Sequence, residues 1–185
     1  MLRVIAGKAR GTKLQSRPGL ATRPTGDRVK EALFNILGPA IVGSSFLDLY
    51  AGSGAIGIEA LSRGAGDVVW VDASPACTAQ IRANLKKTGL SGEEVYTNDV
   101  FRALTQLERR GRDFDFIFLD PPYDHGLVRK TLEHPVTLNV LKKHGIIIAE
   151  ASKKEEAPID VSKLCLKREQ PYGDTVLLFY HLRGS

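Results

Sequence analysis

The stretch Asp120-Pro121-Pro122-Tyr123 carries the strongest chemical signal in this sequence. It follows a strand pattern, so in a parallel sheet it reaches the carboxyl edge, where open α/β folds bind their ligands. Two consecutive prolines fix the backbone and remove two N–H donors, which leaves the Asp120 carboxylate and the Pro121 carbonyl as neighbouring acceptors. This pair suits an amino group, and Tyr123 would stack on a planar base that carries it. A turn that only ends a strand is the alternative interpretation.

A glycine-rich loop follows an earlier strand and opens a helix. Gly52, Gly54 and Gly57 match Gly-x-Gly-x-x-Gly, and Asp72 ends the next predicted strand. Glycines let the backbone approach a ligand closely, the helix begins with free N–H groups, and an acid at the end of the second strand reaches a ribose diol. The pattern predicts a nucleoside site, and by itself it also allows a nicotinamide-dependent reductase.

Two further acids point to the charge of the ligand. Asp48 lies before the glycines, where a carboxylate would repel a pyrophosphate but could help to hold a cationic group. Asp99 follows the third strand, at the place to accept from the exocyclic amine of a purine. Three acids around one nucleoside pocket suit S-adenosylmethionine, which carries positive charge and no phosphate. For each acid taken singly, a helix cap or turn residue is an equally good interpretation.

These two motifs together predict methyl transfer to an amine. The exocyclic amine of a purine is a weak nucleophile because its lone pair is delocalised into the ring. Two hydrogen bonds accepted from its N–H groups would orient the nitrogen toward the sulfonium methyl and stabilise the positive charge that develops. The reaction requires no metal and no general base, and we interpret His125 as a solvated loop histidine.

The elements that must position these motifs alternate regularly from residue 45 onward. Alternation of strands and helices predicts an α/β fold with a mostly parallel sheet and helices on both faces. Only a short turn separates the last two strands, so the last strand is predicted to be antiparallel. The seven predicted strands are Phe46 to Tyr50, Val68 to Asp72, Val95 to Asn98, Phe114 to Asp120, Gly145 to Ala151, Ser162 to Glu169 and Thr175 to Leu182. The predicted helices are Ala55 to Arg63, Pro75 to Lys87, Val100 to Arg109 and Leu127 to Lys142, after a first helix that Thr25 caps and Gly38 ends.

The positive charge is concentrated at the start of the chain. Residues 1–31 contain eight Lys or Arg and two acids, whereas the other 154 residues contain 18 basic and 19 acidic residues. Leu2 to Ala6 and Thr12 to Leu14 flank a Gly7 to Gly11 turn and predict a short hairpin or a loosely structured arm. We divide the chain into a basic arm, residues 1–25, and a catalytic domain, residues 26–185. The arm has the charge that a polyanion binds, although a solvated arm without a partner would look the same.

Length and composition exclude several classes of protein. The 185 residues are 43% hydrophobic and 25% charged, which is typical of one globular domain. The sequence contains no long apolar run, and Cys77 and Cys165 have neither the spacing of a zinc site nor that of a disulfide framework. We therefore expect a cytoplasmic, monomeric protein without a metal site.

The combination of motifs resembles the RsmD family of bacterial guanine-N2 methyltransferases of small-subunit rRNA. The likeness rests on the glycine loop from Asp48 to Gly54, on Asp120 to Tyr123 and on the N-terminal Arg23-Pro24-Thr25-x-Asp27-Arg28-Val29. Val4 to Gly11, the Glu31 to Asn35 helix segment and Tyr172 to Thr175 also fit, so the likeness covers nearly the whole chain.

The resemblance implies a class I, Rossmann-like methyltransferase fold with S-adenosylmethionine as donor. As acceptor it implies a guanine of 16S rRNA, either free or within an assembling 30S particle. It implies that Asp120, Pro121, Pro122 and Tyr123 hold the guanine N2. Cofactor binding is implied at Asp48, Ala51, Gly52, Ser53, Gly54, Asp72, Ala73, Asp99 and Val100. RNA binding is implied at Arg3, Lys8, Arg10, Arg23, Thr25 and Arg28. Arg10, Arg23, Thr25 and Arg28 would either face the RNA or close over the cofactor.

Other acceptors use the same chemistry. Asp-Pro-Pro-Tyr recognises an amino group rather than one base, so N6 of adenine in DNA or a protein glutamine is also possible. A DNA enzyme usually needs a further domain to read sequence, for which 185 residues leave little room. A catalytically silent RNA-binding module is the rival from another class.

Overall fold

The computed structural model describes residues 2–16, 26–91, 94–122, 126–154, 158–161 and 163–184. The helices are α1 (Asp27–Leu37), α2 (Ala55–Ser62), α3 (Pro75–Thr88), α4 (Val100–Arg109), α5 (Leu127–Glu133) and α6 (Pro135–Asn139), with a short 3-10 helix at Gly38–Ile41. The strands are β1 (Ser45–Leu49), β2 (Asp67–Asp72), β3 (Glu94–Thr97), β4 (Phe114–Leu119), β5 (Leu141–Ser152), β6 (Asp160–Val161), β7 (Leu164–Tyr172) and β8 (Thr175–Leu182).

One mixed sheet organises these elements, in the order β3-β2-β1-β4-β5-β8-β7-β6. Strands β1 to β5 are mutually parallel, and β8 runs antiparallel to both β5 and β7. The predicted parallel sheet with an antiparallel last strand is confirmed. In the described residues an eighth strand, the two-residue β6, extends the edge at β7 beyond the seven predicted strands.

The two faces of the sheet bury different side chains. Phe46, Trp70, Phe118 and Ile148 lie in one core cluster with α1, α2 and α3. The residues between them in the strands, such as Leu119, lie in the opposite cluster with α4, α5 and α6. Side chains alternate between the two faces of the sheet along a strand. A site residue that lies an even number of positions from one of these core residues therefore faces the same side.

Two predicted helix features are wrong. The helix predicted from Leu127 to Lys142 is two short helices, because Pro135 cannot donate to the preceding turn and Leu141 already pairs with Phe114 in the sheet. The N-cap of α1 is Gly26 rather than Thr25, which lies outside the described residues. No helix in the described ranges has both the length and the apolar character needed to cross a membrane.

The N-terminal segment forms the predicted hairpin, with an antiparallel bridge between Arg3 and Lys13. Its apolar side chains are buried in the α1 face of the core: Leu2, Val4, Ala9 and Leu14. The buried Glu59 of α2 anchors the hairpin by accepting from the backbone N–H groups of Ile5 at 2.8 Å and Ala6 at 2.9 Å. These contacts pack the hairpin onto the sheet domain.

Glu59 also compensates a buried cation. Lys30 of α1 has no exposed surface, and its Nζ lies 3.6 Å from Glu59 Oε2 and donates to the Arg3 carbonyl. The Arg63 Nε donates to the other Glu59 oxygen at 2.8 Å. Lys30 is therefore unavailable to a polyanion, although it is one of the eight basic residues counted in residues 1–31.

We expect Glu59→Gln to destabilise the protein by about 3–5 kcal/mol, because it leaves the Lys30 ammonium buried without its counter-charge. Glu133→Gln is the control: Glu133 forms a half-exposed i,i+4 pair with Arg129, and its loss should cost less than about 0.5 kcal/mol. Urea denaturation of both variants measures the difference. Equal unfolding free energies would contradict the anchoring role of Glu59.

Candidate active site

The predicted site residues meet at the carboxyl edge of the parallel strands. Asp48 lies near the end of β1, Asp72 ends β2 and Asp120 directly follows β4. Strand β1 is hydrogen-bonded to both β2 and β4, so these three acids follow adjacent strands. The glycine loop leaves β1 between them and begins α2 at Ala55.

The three glycines of the loop have different physical roles. Gly52 and Gly54 adopt left-handed backbone conformations, with φ of 54° and 75°. A Cβ on Gly54 would lie 2.9 Å from Ile81, and one on Gly57 would lie 2.2 Å from the Trp70 indole nitrogen. At Gly52 the nearest atom is the Tyr50 carbonyl oxygen at 4.0 Å. Gly54 and Gly57 therefore permit close packing of α2, whereas Gly52 leaves space for a ligand.

Asp72 supports the glycine loop from below. One carboxylate oxygen accepts from the Gly52 N–H at 2.8 Å, and the other accepts from the Ser74 N–H at 2.8 Å. Asp72 is half-buried, and the neighbouring Ala73 is exposed. Because each carboxylate oxygen can accept a second hydrogen bond, Asp72 can hold the loop and still bind a hydroxyl pair.

Asp48 is a buried acid under the loop. Its Oδ2 accepts from the Gly57 N–H at 2.9 Å. Burial raises the pKa of Asp48 to about 8; this hydrogen bond opposes the shift and the Asp72 charge adds to it. A cation bound above Asp48 would favour its ionised form. The open space beside Gly52 and the buried Asp48 carboxyl beneath the loop fit a ligand with positive charge.

Asp99 is the N-cap of α4. Its Oδ1 accepts from the N–H groups of Phe101 at 3.0 Å and Arg102 at 3.3 Å. Asp99 is exposed, whereas the next residue, Val100, is buried in the core. The geometry thus gives Asp99 a structural function, and a role toward adenine would use its second oxygen.

The Asp120 carboxyl lies beside two other acids. Strand pairing aligns Leu119 with Ala149, which places the following residues, Asp120 and Glu150, side by side. Burial raises the pKa of Asp120 well above its usual range, and the nearby Glu150 and Asp48 charges raise it further. Pro121 is buried and Pro122 is exposed. Tyr123 and His125 lie outside the described residues.

The basic residues predicted to bind RNA are placed only in part. Lys8, Arg10 and Arg28 are exposed. Arg3 is also exposed, but its Nε lies 3.3 Å from Asp27. Arg23 and Thr25 fall outside the described ranges.

Two polar residues of the site escaped the sequence prediction. Glu150 was predicted only as part of a strand, and Asn84 only as part of a helix. The buried Asn84 Nδ2 donates to the carbonyls of Ser53 and Gln15, both at 3.0 Å, and its Oδ1 accepts from the Gln15 N–H at 2.9 Å. Asn84 thereby links the glycine loop to the N-terminal hairpin. The available signal for Asn84 was an asparagine within a predicted helix. Nothing in the sequence showed that this position is buried.

Comparison with known proteins determines the family. Residues 2–181 match the family model described as Conserved hypothetical protein 95. The chain belongs to this family. Ribosomal RNA small subunit methyltransferase D of Escherichia coli (strain K12) is 33% identical over 179 residues, which cover 97% of this chain and 89% of that protein.

Other relatives of the family are equally extensive matches. YlbH of Bacillus subtilis (strain 168) is 40% identical over 184 residues, which cover 99% of this chain and all of YlbH. The solved structure of yhhF from Escherichia coli is 33% identical and superposes with a TM-score of 0.84 over 99% of this chain and 98% of that one. The predicted RsmD family, methyltransferase fold and methyltransferase activity are confirmed.

The pKa of Asp48 makes stability depend on pH. The folded protein keeps this proton to about pH 8, whereas the unfolded chain loses it near pH 4. The Asp48 contribution to the free energy of unfolding therefore falls between about pH 4 and 8. We expect Asp48→Asn to gain stability relative to the wild type between pH 5 and 8 in urea denaturation.

Asp115→Asn is the control for this measurement. Burial opposes ionisation of Asp115, but hydrogen bonds from Lys142 and Ser45 outweigh it and lower its pKa. Both folded and unfolded pKa values of Asp115 then lie below pH 5, so its substitution should change stability by the same amount at pH 5 and pH 8. A parallel pH dependence for the two variants would refute the raised pKa of Asp48.

Proposed function

We propose that this protein transfers the methyl group of S-adenosylmethionine to the exocyclic N2 amine of a guanine in small-subunit rRNA. One observation carries the proposal: Asp120 and Pro121 lie at the carboxyl edge of the sheet, one strand away from a glycine loop that has the buried Asp48 beneath it. Relatives named as rRNA small subunit methyltransferases, similar over nearly the full chain, support the rRNA acceptor.

The glycine loop and the acids around it are the residues that would hold the cofactor. Its methionine portion would lie over Asp48 and along the loop at Ala51, Gly52, Ser53 and Gly54. Asp72 and Ala73 would contact the ribose, and Asp99 with Val100 would border the adenine. When bound, S-adenosylmethionine supplies an electrophilic methyl group on a positively charged sulfur. That charge favours ionised Asp48, whose pKa burial has raised.

Asp120 and Pro121 act on the acceptor amine. The Asp120 carboxyl and the Pro121 carbonyl accept the two N–H groups of N2, which holds the nitrogen in line with the methyl carbon. As the N–C bond formed and the sulfur–methyl bond broke to leave a neutral thioether, positive charge would grow on the nitrogen and strengthen both hydrogen bonds. The nitrogen then loses a proton to water. Pro122 keeps the loop rigid, and Tyr123 stacks on the guanine ring.

The basic residues would bind the RNA backbone. Lys8, Arg10 and Arg28 present exposed charge, and Arg3, Arg23 and Thr25 complete the proposed surface. Such contacts are independent of base sequence, so the shape of the rRNA, free or in an assembling 30S particle, would select the guanine. The protein acts as a monomer in this scheme.

The function is tested by transfer of a labelled methyl group from S-adenosylmethionine. The acceptors are small ribosomal subunits that lack the modification, their free rRNA, and DNA, with mass mapping of the product nucleoside. We expect N2-methylguanosine in the subunits or their rRNA. Label in DNA as N6-methyladenine would refute the proposal in favour of the adenine alternative.

We expect Asp120→Asn to lower kcat by about 10- to 100-fold and to leave S-adenosylmethionine affinity nearly unchanged, because the lost charge acts on the amine. The wild-type kcat should rise with pH as Asp120 ionises, and the variant should lack this rise. Steady-state kinetics and calorimetric titration measure both effects, with the exposed Asp113→Asn as control. Loss of cofactor binding in Asp120→Asn would place Asp120 in the wrong subsite.

A further inference from the structure

A cavity of about 650 Å³ lies between α1 and the β7–β8 turn. Its walls include Arg28 and Asn35 of α1, Glu150 of β5, and Tyr172 and Thr175 at the turn. The volume falls within the range of about 300–1,000 Å³ typical of ligand sites. None of the cofactor residues in the glycine loop lines this cavity, so it is a separate space on the same side of the sheet.

Glu150 connects this cavity to the proposed reaction centre. It lies two positions after Ile148 in β5 and therefore faces the α1 side of the sheet. The β4–β5 register places it beside Asp120, about 4.8 Å away between the strand backbones. Glu150 is only 3% exposed and lines the cavity wall. A base that enters from this cavity and places its amine at Asp120 can turn the ring edge beside that amine toward Glu150.

The edge of guanine beside its N2 amine matches a carboxylate. Guanine carries an N1–H donor next to the amine, so a carboxylate can accept from both N–H groups at once. Adenine has an unprotonated N1 next to its amine, and this lone pair would face the carboxylate oxygens without a shared proton. Two buried acceptors that face each other with no proton between them carry a desolvation cost.

We propose that this cavity receives the target guanine and that Glu150 determines base specificity by accepting its N1–H. The inference rests on the proposed function, and it adds the residue that separates guanine from adenine. Asp120 and Pro121 recognise an amine on any base, whereas Glu150 recognises the ring position beside it. Tyr172 is half-buried against the core of the same face and offers its ring to the base. Arg28 is exposed on the cavity wall, where it meets the nucleotide phosphate.

The test replaces the target guanosine by two analogues in small subunits reconstituted from ligated rRNA, at the position mapped by methyl transfer. Inosine lacks the N2 amine but keeps N1–H. 2,6-Diaminopurine keeps the C2 amine but has an unprotonated N1. The assay measures kcat/KM for wild type, Glu150→Gln and the control Glu169→Gln, an exposed glutamate of β7.

We expect wild type to methylate guanosine at least about 10-fold better than 2,6-diaminopurine, because the unprotonated N1 of the latter would face a Glu150 oxygen with no proton between the two acceptors. Glu150→Gln should narrow this ratio by about 10-fold, since its amide can donate to the unprotonated N1. Glu169→Gln should keep the wild-type ratio. A merely structural role of Glu150 would lower both rates and leave their ratio unchanged.

The outcomes distinguish a failure of the proposed Glu150 role from a failure of the proposed function. Equal wild-type rates on guanosine and 2,6-diaminopurine would overturn the role of Glu150 while leaving N2 methylation intact, and this result does not depend on the folding of any variant. An unchanged ratio in a folded Glu150→Gln would overturn it as well. Methylation of the inosine substrate at that position would refute the N2 acceptor and with it both proposals.

Discussion

The burial of carboxyl groups at the ends of adjacent parallel strands is the constraint on which the site depends. Asp48 and Glu150 are almost fully buried, and Asp120 lies between their strands. Removing a carboxylate from water is costly unless it gains a proton, a hydrogen bond or a counter-charge. The fold provides Asp48 with the Gly57 N–H, and it shifts the pKa values of Asp48 and Asp120 upward. The remaining cost favours ligands that bring positive charge or N–H donors.

The packing of α2 maintains this arrangement. Gly54 and Gly57 bring the helix so close that an added Cβ would lie 2.9 Å from Ile81 at Gly54 and 2.2 Å from the Trp70 indole at Gly57. The Gly57 N–H can therefore reach Asp48 across the same contact. The glycine motif thus has two functions: Gly54 and Gly57 set the distance between helix and sheet, and Gly52 faces open space, where we propose that the cofactor binds.

Most of the fold could be predicted from the sequence, because strand and helix patterns alternate and short connections limit the topology. The helix across Pro135 was predicted wrongly because the apolar spacing continues through the break. Glu150 could not be assigned to the site, since the apolar run Ile146 to Ile148 gives no alternation from which to determine its face. Lys30 reads as a surface charge, and only the fold places Glu59 against it. For Asp99 the sequence allowed either an adenine contact or a helix cap, and the structure shows the helix cap.

The docking of the N-terminal hairpin has a consequence for folding. The hairpin precedes its hydrogen-bond partners in the chain, because Glu59 and Asn84 follow 54 and 69 residues after the groups they bind. Its apolar residues, among them Val4 and Leu14, therefore have no native surface to cover them until α2 and α3 have been made. Contacts of such long sequence separation form slowly, because the intervening chain must first be ordered. This basic segment is thus translated before the helices that hold it, and it reaches its native place only after they have formed.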